Sequence, residues 1–412
     1  MKSNSKPSMW NAFGPGILFA ASAVGTSHIV QSTRAGADFS MGLFFILILI
    51  AALKYPASRF GRDYATATGK SLILHYAGYG WPVLLIYVMV VGMSMAFTSA
   101  ALAMVNASIL KAGLPIDTPI RWLALSAIIV STILLMTGRY KFLEKLNKFL
   151  VPAFTVLIFI TTVIVAFQTN WSQLNWSFPA FNTATLVYIV SIAGWLLAPL
   201  DISVFLSLWT LEKSKSGELN ESRSALDFNI GYWGSLVLAL CFLLLGASLL
   251  GGFGEALPKQ GGAFIAQMIE LFSGTIGDWS FPLIAFMALS IMYSTLLTVM
   301  DGYSRIVEAL LDISALKGFK NNFEIGACVV TLSSVLVILL FMKSFTTFID
   351  LVGVLVFVLG PVYAILNHRA VFGRDVPLKK QPSSLMRFGS WCGIAIMSVV
   401  AITYCYFRWG VA

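Results

Sequence analysis

The sequence predicts an all-α integral membrane protein of about eleven spans, an inverted repeat of five plus five helices in which the first and sixth are broken. Three observations predict it. Hydrophobic residues make up 58% of the 412 and charged residues only 11%, against about 25% charged in ordinary soluble domains. Apolar runs of about 20 residues recur along the chain, and the mean hydropathy is +0.85, as expected of a chain that crosses a bilayer repeatedly. Two runs, five spans apart, are interrupted in mid-span, and matched interruptions in two halves mark an inverted repeat. The whole chain, 1–412, then forms one transmembrane domain, with repeats at 14–168 and 184–366 and an extra helix at 387–408.

The spans fall at approximately 14–37 (broken), 40–57, 79–106, 119–137, 146–168, 184–209 (broken), 229–250, 281–299, 325–342, 347–366 and 387–408. The polar stretch Met1 to Trp10 precedes the first span. No small-residue cleavage site follows that span, so it reads as a retained helix and not a signal peptide. With the N-terminus in the cytoplasm, the inner segments hold 21 of the 27 Lys and Arg residues, Lys54 among them. The outer segments hold five, and Arg34 lies within the first span. That bias supports a plasma (inner) membrane protein with its N-terminus cytoplasmic and its C-terminus outside. It also explains the net charge of +9 by topology, without nucleic acid as a partner. The lipid bilayer and a small solute are the partners expected, and the sequence specifies no oligomeric state.

Several segments carry their own signals. The stretch from Asn170 to Thr185 is uncharged and holds Trp171 and Trp176, as suits an outer loop at the interface. Lys213 to Asp227 reads as a solvated inner connection, and Gly251–Gly254 as a flexible start to an outer segment. His75 and His368 fall in inner segments and read as solvated. Gly69-Lys70-Ser71 resembles the end of a phosphate loop, but Tyr64 stands where its first glycine is required. Four cysteines, Cys241, Cys328, Cys392 and Cys405, lie in apolar runs without metal-ligand spacing and read as fillers.

The first span opens as an apolar helix from Gly14 and meets Gly25-Thr26-Ser27-His28, four residues poor at holding a helix. The pattern resumes at Ile29 and passes Gln31, Ser32, Thr33 and Arg34. The sixth span holds Trp195, Ala198, Pro199 and Asp201. A proline deep in a helix removes a backbone hydrogen bond, and backbone groups freed in hydrocarbon must find a cavity, a ligand or a protein partner. The two breaks are therefore the candidate binding site.

Particular motifs carry a family resemblance. Gly14-Pro15-Gly16, Arg34-Ala35-Gly36-Ala37, Thr68-Gly69-Lys70-Ser71-Leu72, Gly138-Arg139-Tyr140-Lys141-Phe142-Leu143-Glu144 and Tyr293-Ser294-Thr295 onward to Ile306-Val307-Glu308 occur in order along nearly the whole chain. In this the chain resembles the NRAMP family of divalent-metal transporters. The resemblance implies a LeuT-like fold of the APC superfamily type, with cargo held between spans one and six. The family's metal-binding residues do not carry over. Its Asp and Asn in span one fall on Gly25 and His28. In span six its Ala, Met and His fall on Trp195, Ala198 and Leu200. No acidic residue lies in span three, where the family has one for proton transfer.

The residues leave three readings open. The first is a secondary transporter, a symporter of a small organic solute such as an amino acid or carboxylate, working by alternating access. Gly25, Thr26, Ser27, His28, Trp195 and Ala198 would line its site. Half-helix N–H groups would face an anionic group with the positive end of the dipole. The second is a divalent metal transporter (Mn, Fe or Mg) with a rebuilt site, for which His28 and Asp201 are the available ligands. The third is a non-transporting membrane sensor. No nucleophile-plus-base group stands out, so no enzyme is expected, nor a cofactor. Coupling to H+ or Na+ would fall to His28, Arg34, Asp201, Ser294 and Thr295. Each has a structural alternative. His28 and Asp201 could hydrogen-bond the breaks, and Trp195 could be core. Arg34 could snorkel or pair with Asp38, and the span-eight hydroxyls could serve helix packing.

Overall fold

The computed structural model describes residues 13–114, 117–215, 221–250, 261–313, 321–341 and 345–409. Met1 to Trp10, Gly251–Gly254, Lys259, Lys317, Lys320, Lys343 and part of the connection after Lys213 lie outside the described residues.

The first span is interrupted as its sequence predicts. Helix α1 (Pro15–Ala23) gives way at Val24–Gly25, a π-helical segment follows at Ser27–Ser32, and α2 (Thr33–Phe39) completes the crossing. Next come α3 (Phe44–Thr68), the short α4 (Leu72–Ala77) and α5 (Trp81–Gly113). Gly69, at φ +69°, ends α3, and the Ser71 hydroxyl accepts from Leu74 N–H at 3.4 Å to start α4. The residues that resembled a phosphate loop are thus a helix stop and a helix start.

Helical backbone then runs without a break from Ile120 to Gln168, α6. Straight, it would reach about 74 Å, more than twice a bilayer's hydrocarbon. Instead it folds back near Arg139. Ala127 and Val130 share a cleft with Tyr293, the Tyr140 ring lies under Arg305, and Asn147 returns to bond Thr298 at 3.2 Å. It therefore carries two spans, Ile120–Gly138 and Tyr140–Gln168.

The sixth span is α7 (Thr183–Trp195) and α8 (Ile202–Ser214), separated by an irregular turn. The rest are α9 (Glu221–Leu249), the amphipathic α10 (Gly261–Ile276), α11 (Phe281–Ile313), α12 (Asn322–Phe341), α13 (Phe345–Val371) and α14 (Ser384–Trp409). Among the described residues, nine helical stretches are long and apolar enough to cross a membrane. With the two interrupted segments this makes eleven crossings. Large apolar side chains such as Phe45, Phe149, Leu332 and Ile402 stand exposed on the outer surface of the bundle, where a hydrocarbon solvent accepts them at no cost.

The broken first span lies against α9 at backbone contact. A Cβ on Gly16 would sit 2.2 Å from the Asp227 carbonyl oxygen, and one on Gly36 would sit 2.0 Å from that of Leu243. Their partners on α9, Gly231 and Gly246, are equally tight against Gly16 and Thr33. Two motifs noted in the sequence, Gly14-Pro15-Gly16 and Ala35-Gly36-Ala37, are therefore packing surfaces, as small residues are in membrane helices.

Several basic and histidine residues assigned to solvated connections are in fact buried or partly buried, and paired. Lys54 lies inside α3, and the buried Lys213 pairs with Glu144 at 2.8 Å in a partly buried cluster with Lys148. His75 bonds Asp375 at 3.0 Å and the Tyr79 hydroxyl at 3.0 Å, and His368 is buried against Ser390 at 2.9 Å. In each case tertiary packing supplies partners that lie far away in sequence.

Candidate functional site

The two breaks meet in the middle of the bundle, where α1 packs against α8 and the π-helical segment against α7. In the first break, Val24 N–H still reaches Ala20 at 2.7 Å, Gly25 N–H reaches Ala23, and His28 and Ile29 N–H both reach Gly25 at 3.0 Å. Gly25 is required by its neighbour, since a Cβ there would lie 2.9 Å from Thr295 Cγ2. Thr295 closes the end of α1. Its hydroxyl lies 2.7 Å from the Ala21 carbonyl oxygen and 3.0 Å from those of Val24 and Ile291. One hydroxyl hydrogen thus serves three acceptors. Ser294 points elsewhere and donates to Asn147.

His28 turns away from the second break. Nε2 lies 2.8 Å from the Ser235 carbonyl oxygen on α9, and Nδ1 lies 2.7 Å from the Ser27 hydroxyl. A carbonyl only accepts, so Nε2 carries a hydrogen, and in the neutral ring Nδ1 competes with the Ala23 carbonyl for the one Ser27 hydroxyl hydrogen. Nε2 is therefore committed to Ser235, while Nδ1 has a shared partner. The Ser27 hydroxyl lies 2.7 Å from Ala23 O, so it is a structural group of the break, while the buried Thr26 hydroxyl has no hydrogen-bond partner among the described residues.

The second break is a strained turn. Leu197 and Ala198 are both left-handed, at φ +56° and +64°, a conformation costing about 1–2 kcal/mol for each non-glycine residue. It turns carbonyl oxygens inward onto Lys54. The ammonium lies 3.0 Å from Ala193 O, 3.3 Å from Gly194 O, 2.6 Å from Leu196 O and 2.7 Å from Ala198 O. Lys54 is only 3% exposed. Asp201 follows the turn and accepts from the Tyr303 hydroxyl at 2.5 Å. Trp195 donates to the Ile349 carbonyl at 2.9 Å and packs beside Gly353 on α13, which makes it part of the α7–α13 interface.

Beyond the breaks, a polar network joins α2, α7 and α13. Arg34 bonds both oxygens of Asp350 on α13, at 3.0 and 3.3 Å. The Asp38 pairing considered from the sequence is replaced by this one, because α13 brings a carboxylate to the guanidinium in fork geometry. Gln31 donates to Asp350 and to Ser191 at 3.0 Å, and the Tyr188 hydroxyl donates to Gln31 O at 2.6 Å. On the opposite side, Asp227 accepts from Gly14 N–H at 3.2 Å and Gly16 N–H at 2.7 Å, capping α1. A cleft of about 590 Å³ also opens on this side, lined by Tyr140, Lys141, Glu212, Arg305, Glu308 and Asp312 among others.

Sequence reasoning missed Lys54, Gln31, Ser191, Asp227 and Asp350. Lys54 and Asp350 had a usable signal, each being ionisable inside an apolar run. The partners of the others are set by tertiary packing alone.

Eleven crossings with two interrupted helices meeting at the core define an integral membrane protein of the transporter type. The chain matches the model of the Nramp (natural resistance-associated macrophage protein-like) family over residues 16–406, and it belongs to that family. An uncharacterised protein of Pasteurella multocida (strain Pm70) is 35% identical over 367 residues, 87% of this chain and 84% of that one. Among solved structures, a mutant of the Eremococcus coleocola manganese transporter superposes with a TM-score of 0.74 at 13% identity, covering 100% of this chain and 90% of that one. MhsT in complex with L-phenylalanine gives 0.68 at 13% identity, covering 94% and 97%. These two structures share the LeuT-type fold with this chain.

Proposed function

We propose that this Nramp-family protein is a secondary transporter that moves a small organic solute, an amino acid or carboxylate, by alternating access at the two breaks. One observation carries the choice over a metal ion. The imidazole at the first break is held by Ser235 and Ser27 and turned toward α9, and the residues at the second break offer no soft or anionic side chain where Ala198 stands. A dehydrated divalent ion needs several such donors and a compensating anion. Among the described residues no three His, Cys, Asp or Glu side chains converge.

In this reading the basic connections face the cytoplasm, so the N-terminus is inside and the C-terminus outside. Arg34, Gln31, Ser191 and Asp350 form the outer gate, and Asp227 holds α1 as the inner one. Gly25 and Thr26 are the residues of the first break open to cargo, and Thr295, among carbonyls in excess of its one hydrogen, is where a coupling Na+ would enter. Asp201, paired to Tyr303, is the candidate for proton coupling.

The test is uptake by purified protein in liposomes, with labelled amino acids, carboxylates and manganese offered side by side. Saturable uptake of an organic solute that is lost in Gly25→Leu supports the reading. Saturable manganese uptake abolished by His28→Ala would overturn it. Ligand binding without flux would identify a sensor.

A further inference from the structure

We infer that the break between α7 and α8 is a monovalent-cation site that the chain fills with its own Lys54 ammonium, so that inorganic cations are excluded from it.

The argument starts from backbone. A helix end leaves its last carbonyls without N–H partners, and those oxygens carry the negative end of the helix dipole. At the end of α7 the left-handed pair Leu197–Ala198 turns the chain so that four carbonyl oxygens, from Ala193, Gly194, Leu196 and Ala198, face one point. Four neutral oxygens converging in a buried place are a cation's coordination shell. In hydrocarbon they must be satisfied by something.

Lys54 occupies that point. An ammonium has three N–H groups and no acceptor, so it meets the four oxygens as a compact point charge and itself offers no lone pair to a metal. The space beside it, between Gly194, Leu200, Phe357 and Met397, is about 10 Å³, at the lower limit for one water. A second ion with its hydration shell does not fit there. The Asp201 carboxylate, which follows the turn, is engaged by Tyr303. The site therefore holds one positive charge, tethered, and the break keeps its shape without recruiting an ion from solution.

For transport this means that one cation of the occupied state is supplied by the protein. That consequence rests on reading the breaks as the cargo region, whereas the cage itself does not. The two experiments can fail separately, since this one measures stability and needs no cargo.

Purified wild-type protein, Lys54→Ala and Lys54→Gln are compared by thermal unfolding in choline buffer, then with ethylammonium, K+, Na+ or Mn2+ added. Choline is too large for the vacated cage and serves as the blank. Wild-type protein is expected to ignore all four ions. Lys54→Ala is expected to lose several degrees in its unfolding midpoint. Ethylammonium, or a bare monovalent ion, then restores at least half of the loss in a saturable manner. Lys54→Gln, which fills the space but can serve only part of the cage, is expected to fall between and respond less. Wild-type stability in Lys54→Ala with no response to cations would overturn the inference. So would a saturable manganese shift in wild-type protein that Lys54→Ala leaves unchanged. If the variants fold under none of these conditions, rescue has failed, and the site is not a cation site that an external ion can fill.

Discussion

Neutralising Asp350 is expected to open the face of the protein on which α2 meets α13. The substitution Asp350→Asn keeps the size of the side chain and one acceptor oxygen, and it removes the charge. Asp350 collects donors from Arg34 at 3.0 and 3.3 Å, Gln31 at 3.0 Å and Ser191 at 3.3 Å. Hydrogen bonds to charged groups are each worth about 1.5–3 kcal/mol when formed away from water. The side chains of Arg34 and Asp350 are 13% and 25% exposed, so screening by solvent takes part of this. A net loss of about 1–2 kcal/mol follows, a factor of about 5–30 in the closed-to-open ratio. The assay is thiol labelling. Thr26 is buried at the first break, and Thr26→Cys, in a background where Cys241, Cys328, Cys392 and Cys405 are replaced, reports access from that face. A membrane-impermeant methanethiosulfonate reagent is expected to label it about 5–30 times faster when Asp350→Asn is added. Arg34→Gln should give a similar rise, and the double variant little more than either, because both remove one interaction. Labelling within twofold of the parent, in protein that remains monodisperse, would refute the gating role.

Three further outcomes are expected. Asp227→Ala removes the acceptor for Gly14 and Gly16 N–H and should cost about 1–2 kcal/mol by the scale of helix caps, read as a lower unfolding midpoint. Gly36→Ala places a methyl 2.0 Å from the Leu243 carbonyl oxygen and 2.5 Å from Ala247 N. It should cut the yield of folded protein severely, whereas Gly92→Ala, with open space around it, should not. The His75 hydrogen bond holds the Asp375 carboxyl below its usual range. A depressed carboxyl stabilises the fold above its unfolded value and loses that contribution as pH falls through its folded value. Asp375 is nearly half exposed, so Asp375→Asn should cost at most a few tenths of a kcal/mol near neutral pH. The difference should vanish in acid, as pH-dependent melting curves would show.

The architecture was legible because hydropathy and interruption are local properties. Spans can be counted from runs, and Gly25 and Pro199 announce the breaks by their own chemistry. The two breaks were legible in place, and the orientation of their side chains was not. His28 stands at the break as the sequence places it, but α9 offers the Ser235 carbonyl and turns the ring outward from the second break. Arg34 sits at one end of its span as expected, yet its partner comes from Asp350, 316 residues on. Charge counting placed Lys54 with the basic connections. Only the turn at Leu197–Ala198, two left-handed residues with no glycine to announce them, shows why a lysine belongs there.

The Lys54 cage also has a consequence in time. Lys54 and the first of its carbonyl partners are 139 residues apart. At a synthesis rate of about 5–20 residues per second, α3 enters the membrane roughly 7–28 s before α7 exists. Throughout that interval an ammonium about 15 Å into the helix has no cage, at an insertion cost of about 2.5–3.5 kcal/mol for an ionised residue near mid-span. The nascent third helix must therefore wait, with its lysine reaching toward water or held at the insertion machinery, until the sixth span arrives. Assembly of the two halves of the repeat is what releases it, so the first half of this chain is not a free-standing folding unit.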